Sequence, residues 1–223
     1  GQWAIYAAGI FYAVNPFTYS RFMSGQYLVL LGYALIPFFV RALLAFLATP
    51  NRKTLLIVTG ITLLISILSI HTLGMLALIA LILLGIAVWQ QHTQIPILKQ
   101  YLQWGAAGLG LVILASSYWL IPLILGRGET AAMIQQFDHT HTQAFATAGS
   151  NAVERAAAVF RLQGFWLEAR GQFTLPQDQL PGWGTVRLAV WALIGWGIAV
   201  CWRQARSLAI ALISLGAIGM LLA

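Results

Sequence analysis

Two groups of residues in this sequence have the chemistry to act on a ligand. The first is Asp138-His139-Thr140-His141, a carboxylate and two imidazoles within four positions. Such a set could hold a divalent metal, or pair a general base with an activating partner, and a catalytic role is therefore assigned to Asp138, His139 and His141. A helix would bring 138 and 141 to one face and an extended segment 139 and 141, so two of the three converge at a time. The same pattern also suits a hydrated loop. The second group is Arg21 with Asn15, Tyr19 and Gln26 beside it. A guanidinium is a planar fork of donors matched to phosphate, so these four are assigned to substrate binding, the alternative being an arginine that reaches the membrane interface. His71 and Arg161 join them, His71 as a residue at a cavity mouth and Arg161 as a second cation for an anionic ligand.

Elements that position these groups are apolar helices. The chain is 60% hydrophobic and 8% charged, with a mean hydropathy of +0.83, whereas a soluble domain carries roughly a quarter charged residues. The net charge of +7 is scattered between apolar runs and forms no basic face, which argues for a bilayer and against nucleic acid as partner. The single cysteine, Cys201, excludes an intrachain disulfide. The fold expected is all-α: a polytopic transmembrane bundle of about six to seven spans.

Full spans are expected at Tyr27 to Leu47, Thr54 to Ile70, Leu73 to Trp89, Leu102 to Leu125 and Val186 to Trp202. Trp3 to Val14 reads as the end of a cut helix, and Ser207 to Ala223 as a last span of minimum length. On this reading the chain is a piece of a longer protein, with helices and the Asn15 to Gln26 junction in 1–125, an extracytoplasmic loop in 126–185 and two spans in 186–223. Pro16 makes the junction an ordered break between helices. Ile70 to Gly74 is expected to be a tight turn.

Orientation follows from charge. The connections Pro50 to Lys53, Gln90 to Gln100 and Arg203 to Arg206 carry Arg52, Lys53, Lys99, Arg203 and Arg206 and no acid, which makes them cytoplasmic. All five acids, Glu129, Asp138, Glu154, Glu168 and Asp178, lie between Leu125 and Val186. Threading the spans puts that segment, the junction and His71 on the opposite, outer face. Within it, Asn151 followed by Glu154 fits a capping box, and Val153, Ala157, Phe160 and Gly164 share a helical face, so an amphipathic interfacial helix is expected over about 151–170. No phosphate-binding glycine loop, Cys/His metal framework or hydrolase elbow occurs in the sequence.

Asn15-Pro-Phe-Thr-Tyr-Ser-Arg-Phe-Met-Ser-Gly-Gln-Tyr27, Leu31-Gly-Tyr-Ala-Leu-Ile-Pro37, Ser117-Tyr-Trp-Leu-Ile-Pro122, Ala144-Phe-Ala-Thr147 and Leu162-Gln-Gly-Phe-Trp166 together resemble multi-pass bacterial envelope proteins. These are similar to GT-C class glycosyltransferases, including the membrane region of arabinofuranosyltransferases. The resemblance covers most of the chain. It implies a plasma-membrane enzyme that takes a sugar from a polyprenyl-phosphate donor and passes it to an envelope glycan or lipid acceptor on the outer face. The class carries its catalytic acid on a first outer loop, which would lie upstream of Gly1. The alternative is a non-enzymatic membrane protein, a transporter or an assembly subunit. A transporter is expected to hold ionisable residues at mid-membrane, and these spans show none clearly.

Overall fold

The computed structural model describes residues 2–91, 93–127, 132, 151–163, 165, 167, 168, 174, 175 and 179–222. Among them every element is a helix. In chain order these are α1 (Gln2–Ala13), α2 (Pro16–Met23), α3 (Tyr27–Ala48), α4 (Arg52–Leu68), α5 (Ile70–Gln90), α6 (Ile95–Ile124), α7 (Ala152–Phe160), α8 (Trp183–Gln204) and α9 (Arg206–Leu222). Inside a bilayer no water is present to pair with backbone N–H and C=O groups, and a helix satisfies them within one segment. Four helices, α3, α5, α6 and α8, are long and apolar enough to cross a membrane, at 22, 21, 30 and 22 residues. At 1.5 Å per residue, about 20 residues cover a hydrocarbon core of roughly 30 Å. By that measure α4 and α9, with 17 residues each, and α1, with 12, are short.

The chain divides into two units. One of them, Leu31–His141, holds α4, α5, α6 and most of α3. On α3 the buried positions Gly32, Ile36, Phe39, Leu43 and Phe46 alternate steps of four and three, the stripe one helix face presents to its neighbours. Leu55 and Ile65 of α4, Leu76 and Leu83 of α5 and Tyr101 of α6 are buried as well. Glycine brings two pairs of helices together. A Cβ at Gly32 would stand 2.9 Å from Thr72 Oγ1, and one at Gly108 would stand 2.8 Å from Leu55 Cδ1. Tyr101 on α6 donates its hydroxyl hydrogen to the Leu47 carbonyl at 2.6 Å, tying α6 to the last turn of α3.

The break between α4 and α5 differs from the expected turn over Ile70 to Gly74. It is confined to Ser69, whose extended backbone (φ −162°, ψ 115°) ends α4 while its side chain accepts from Thr72 N–H and caps α5. His71 is therefore an exposed residue in the first turn of α5.

The other unit comprises Gly1–Leu30 and Thr142–Ala223. Here α8 and α9 form a hairpin around Ala205, and α7 packs on both. The Phe160 ring stacks on Trp191 at 4.4 Å, and Trp191 Nε1 donates to the Phe160 carbonyl at 2.8 Å. The Asn151 side chain caps the helix through Glu154 N–H at 2.9 Å, one of the two bonds of the expected capping box. The helix itself ends at Phe160, well short of 170. Leu162 takes a left-handed backbone (φ 59°), and the amides of Leu162 and Gln163 turn back onto the Val159 and Ala158 carbonyls. That is a Schellman closure with leucine where glycine is usual, so no glycine announced the stop. Gly182 (φ 84°) caps α8, which begins at Trp183 and so includes the Trp183 and Gly184 expected in the preceding loop.

Candidate functional site

The site is built on α2, an eight-residue helix inside the stretch expected to be only a break. Its N-terminus is a reciprocal capping box. Thr18 N–H donates to Asn15 Oδ1 at 3.0 Å, and Asn15 N–H donates to Thr18 Oγ1 at 3.1 Å. Pro16 occupies the first helical position, where its missing N–H is not needed. Asn15 Nδ2 donates in turn to the Tyr12 carbonyl at 2.7 Å and the Phe11 carbonyl at 3.2 Å, closing the end of α1. Asn15 thus joins two helices and places α2 at a fixed angle to α1. All three asparagines of the chain, Asn15, Asn51 and Asn151, serve as helix caps.

The C-terminus of α2 is a Schellman motif with Gly25 at the left-handed position (φ 74°). Gly25 N–H donates to the Phe22 carbonyl at 3.0 Å and Gln26 N–H to the Arg21 carbonyl at 2.9 Å. This folds Gln26 back over Arg21, and Arg21 Nη1 donates to Gln26 Oε1 at 2.6 Å. The same guanidinium lies over two phenyl rings. Its central carbon is 5.3 Å from the centroid of Phe17, one turn earlier on α2, and 4.1 Å from that of Phe165. Both distances fall in the cation–π range of about 6 Å. Among the described residues no carboxylate lies within ion-pairing distance of Arg21, and burial lowers its pKa from the ordinary value. Among the described residues the charge is held by two rings and one amide oxygen.

Three consecutive residues of α2 reach the segment beyond α7. Tyr19 donates its hydroxyl hydrogen to the Thr174 carbonyl at 2.6 Å, the buried Ser20 donates to Glu168 Oε1 at 3.3 Å, and Arg21 meets the Phe165 ring. Leu167, between Phe165 and Glu168, is buried. A cation and a carboxylate are therefore anchored to adjacent positions of one short helix. Of the four residues assigned to substrate binding, Arg21 and Gln26 are hydrogen-bonded, Tyr19 lies on the same helix and reaches Thr174, and Asn15 caps the helix start.

Phe17, Ser20, Phe165, Glu168 and Thr174 belong to the same arrangement and were not singled out from sequence. Phe17 had a local signal, since it stands four residues before Arg21 once Asn15-Pro-Phe-Thr18 is read as a helix start. The contacts to 165, 168 and 174 span about 150 positions and have no local signal.

Arg161, His71, Asp138, His139 and His141 complete the sequence candidates. Arg161 is exposed at the end of α7, and its backbone N–H closes that helix through the Ala157 and Ala158 carbonyls. His71 belongs to the other unit. Asp138, His139 and His141 lie outside the described residues. Among the described residues no three His, Cys, Asp or Glu side chains cluster as metal ligands would. Comparison of the chain with protein-family models, with curated proteins and with solved structures finds no match.

Proposed function

We propose that this chain is the membrane part of a GT-C-like glycosyltransferase, in which Arg21 holds the phosphate of a polyprenyl-phosphate sugar donor. The observation that carries this reading is the Arg21 guanidinium, oriented by Gln26 and flanked by Phe17 and Phe165, with no carboxylate paired to it among the described residues. A cation near a bilayer is retained where it reaches the interface or meets an anion. A phosphate ester whose lipid tail stays among apolar helices supplies that anion. During transfer an acceptor hydroxyl oxygen bonds to the sugar's anomeric carbon as the bond from that carbon to the phosphate oxygen breaks; the electron pair leaves with the phosphate, which takes up the acceptor's proton. An oriented guanidinium stabilises that growing charge without reorganising.

In this proposal α1, α4 and α9 join the four long helices to give six to seven spans, and α2 with the 126–185 segment faces outward from the plasma membrane. There α7 lies at the interface. The acceptor is an envelope glycan or lipid. Catalysis by Asp138, His139 and His141 rests on their chemistry in the sequence, as does a divalent metal. The test is sugar transfer in membranes carrying Arg21→Ala at wild-type abundance. The proposal predicts loss of transfer, and unchanged turnover would remove Arg21 from the site.

A further inference from the structure

Arg41 is a charge carried deep inside a long apolar helix. In the described helices that can cross a membrane, Lys99 and Arg187 are each the fifth residue of α6 and α8, and Arg203 is the last but one of α8. Arg41 is instead the fifteenth of the 22 residues of α3. At 1.5 Å per residue α3 is about 33 Å long, close to the roughly 30 Å of a hydrocarbon core. The Arg41 backbone then lies about 10 Å from the Ala48 end and about 21 Å from the Tyr27 end.

Arg41 is exposed, on the side of α3 away from the buried stripe, and among the described residues it has no hydrogen bond, ion pair or ring contact. A charge facing hydrocarbon is expensive, and an ionisable residue within a span is kept by an opposite charge or by reaching the interface. The second way out runs against the helix geometry. Cα–Cβ bonds tilt toward the helix N-terminus, so the Arg41 side chain sets off toward the farther end, Tyr27, and away from Ala48.

The face around Arg41 has the spacing of a seam between helices. Leu31, Ala34, Phe38, Arg41, Ala45 and Ala48 are all exposed, at alternating steps of three and four residues. That spacing keeps one row of side chains against a neighbouring helix along its whole length. Ala45, one turn from Arg41, leaves room for another backbone to come close.

Charge selects the occupant. All five acids of the chain lie between 126 and 185, and α1, α3, α4, α5, α6, α8 and α9 contain none. Neither a second copy nor the chain's own long helices therefore bring a carboxylate to the depth of Arg41. A carboxylate matches the guanidinium fork with two parallel hydrogen bonds and neutralises it away from water. We propose that this row of α3 docks a transmembrane helix of a different membrane protein, on which an aspartate or glutamate level with Arg41 pairs with the guanidinium. The pairing is independent of α2 and of the reaction proposed for it.

The test places the photoreactive residue p-benzoylphenylalanine at position 45 of the full chain in its native membranes, and sequences the adducts formed on irradiation by mass spectrometry. The expected adduct is a membrane-spanning segment of another protein that contains an aspartate or glutamate. Arg41→Leu should lower its yield at least about tenfold, and Arg41→Lys, which keeps the charge, should retain most of it. Circular dichroism reports folding, and Arg41→Gln serves if Arg41→Leu does not fold. Exchanging the charges, with Arg41→Asp in this chain and arginine in place of the partner's carboxylate, should restore the adduct. The same photoreactive residue at position 81, where Leu81 is exposed on α5 of the same unit, should not form it. Adducts confined to lipid, to the same polypeptide, to a second copy or to a segment without a carboxylate would each overturn the assignment. So would no adduct at all, the same adduct from position 81, or a yield unchanged in folded Arg41→Leu or Arg41→Gln.

Discussion

Gln26 Oε1 accepts a hydrogen bond from Arg21 Nη1 at 2.6 Å because the backbone of α2 brings the two residues together. In a Schellman closure the residue after the left-handed position returns over the last full turn, and here those positions hold Gln26 and Arg21. The contact orients the guanidinium without neutralising it. Glutamate at the same place would neutralise it.

That difference gives the first prediction. Gln26→Glu should weaken binding of a phosphate-bearing donor more than Gln26→Ala does, by about tenfold or more, because a half-buried carboxylate pairs with Arg21 directly. Gln26→Ala removes orientation alone. Equilibrium binding of a radiolabelled polyprenyl phosphate to membranes containing each variant checks the order.

Asn15 was expected to bind substrate, yet its side chain makes the cap of α2 and the closure of α1. Asn15→Ala should therefore cost about 1 kcal/mol of stability, while Asn15→Ser retains the N-terminal cap and most of that stability. Transfer activity should follow stability across the pair. Severe loss of activity in a stable Asn15→Ser protein would instead place Asn15 on the ligand.

Arg21→Lys conserves charge and discards the planar fork and its stacking on Phe17 and Phe165. Donor affinity should fall, since an ammonium cannot satisfy both the rings and a bidentate phosphate. The pH dependence follows from burial, which lowers the Arg21 pKa from its ordinary value. A basic group with a depressed folded pKa loses its proton more readily folded than unfolded. Stability gained through it appears only as pH rises through the folded value toward the unfolded one. Across roughly pH 6–9 the guanidinium stays charged, so titration of donor binding in that window should persist in Arg21→Lys. Its disappearance there would implicate Arg21 itself.

In the other unit, Gly32→Ala would push a methyl group against Thr72 Oγ1, 2.9 Å away, and Thr72 is buried. Overpacking of this kind costs about 1–3 kcal/mol. Thr72→Ala makes room, so Gly32→Ala should cost less in a Thr72→Ala background than alone. A double-mutant cycle on thermal unfolding measures the coupling.

The long helices were legible in the sequence because a bilayer demands continuous apolar length, and Tyr27 to Leu47 or Val186 to Trp202 supply it almost unbroken. The start of α2 was legible in principle, since Asn15-Pro-Phe-Thr18 combines a cap residue, proline at the first position and threonine three residues on. Span length passes over it, because α2 has eight residues where about 20 are needed to cross a bilayer. The end of α7 was hidden, because Leu162 adopts a backbone that leucine rarely takes. Least legible was the meeting of Tyr19, Ser20 and Arg21 with Thr174, Glu168 and Phe165, since long-range contacts leave no periodicity in either segment. Chemistry at the level of residue types pointed to Arg21, and only the fold supplied Phe165 and Glu168 as its company.

Phosphate binding by Arg21, as proposed, couples donor binding to sugar transfer. Transfer of a labelled sugar from polyprenyl phosphate, measured in membranes with wild-type protein and with Arg21→Ala at matched abundance, tests it most directly. Arg21→Ala is expected to lose at least about a hundredfold in transfer and in donor binding together, the size expected for removing a charged, oriented donor from a developing negative charge. Wild-type transfer and donor binding in Arg21→Ala would contradict it.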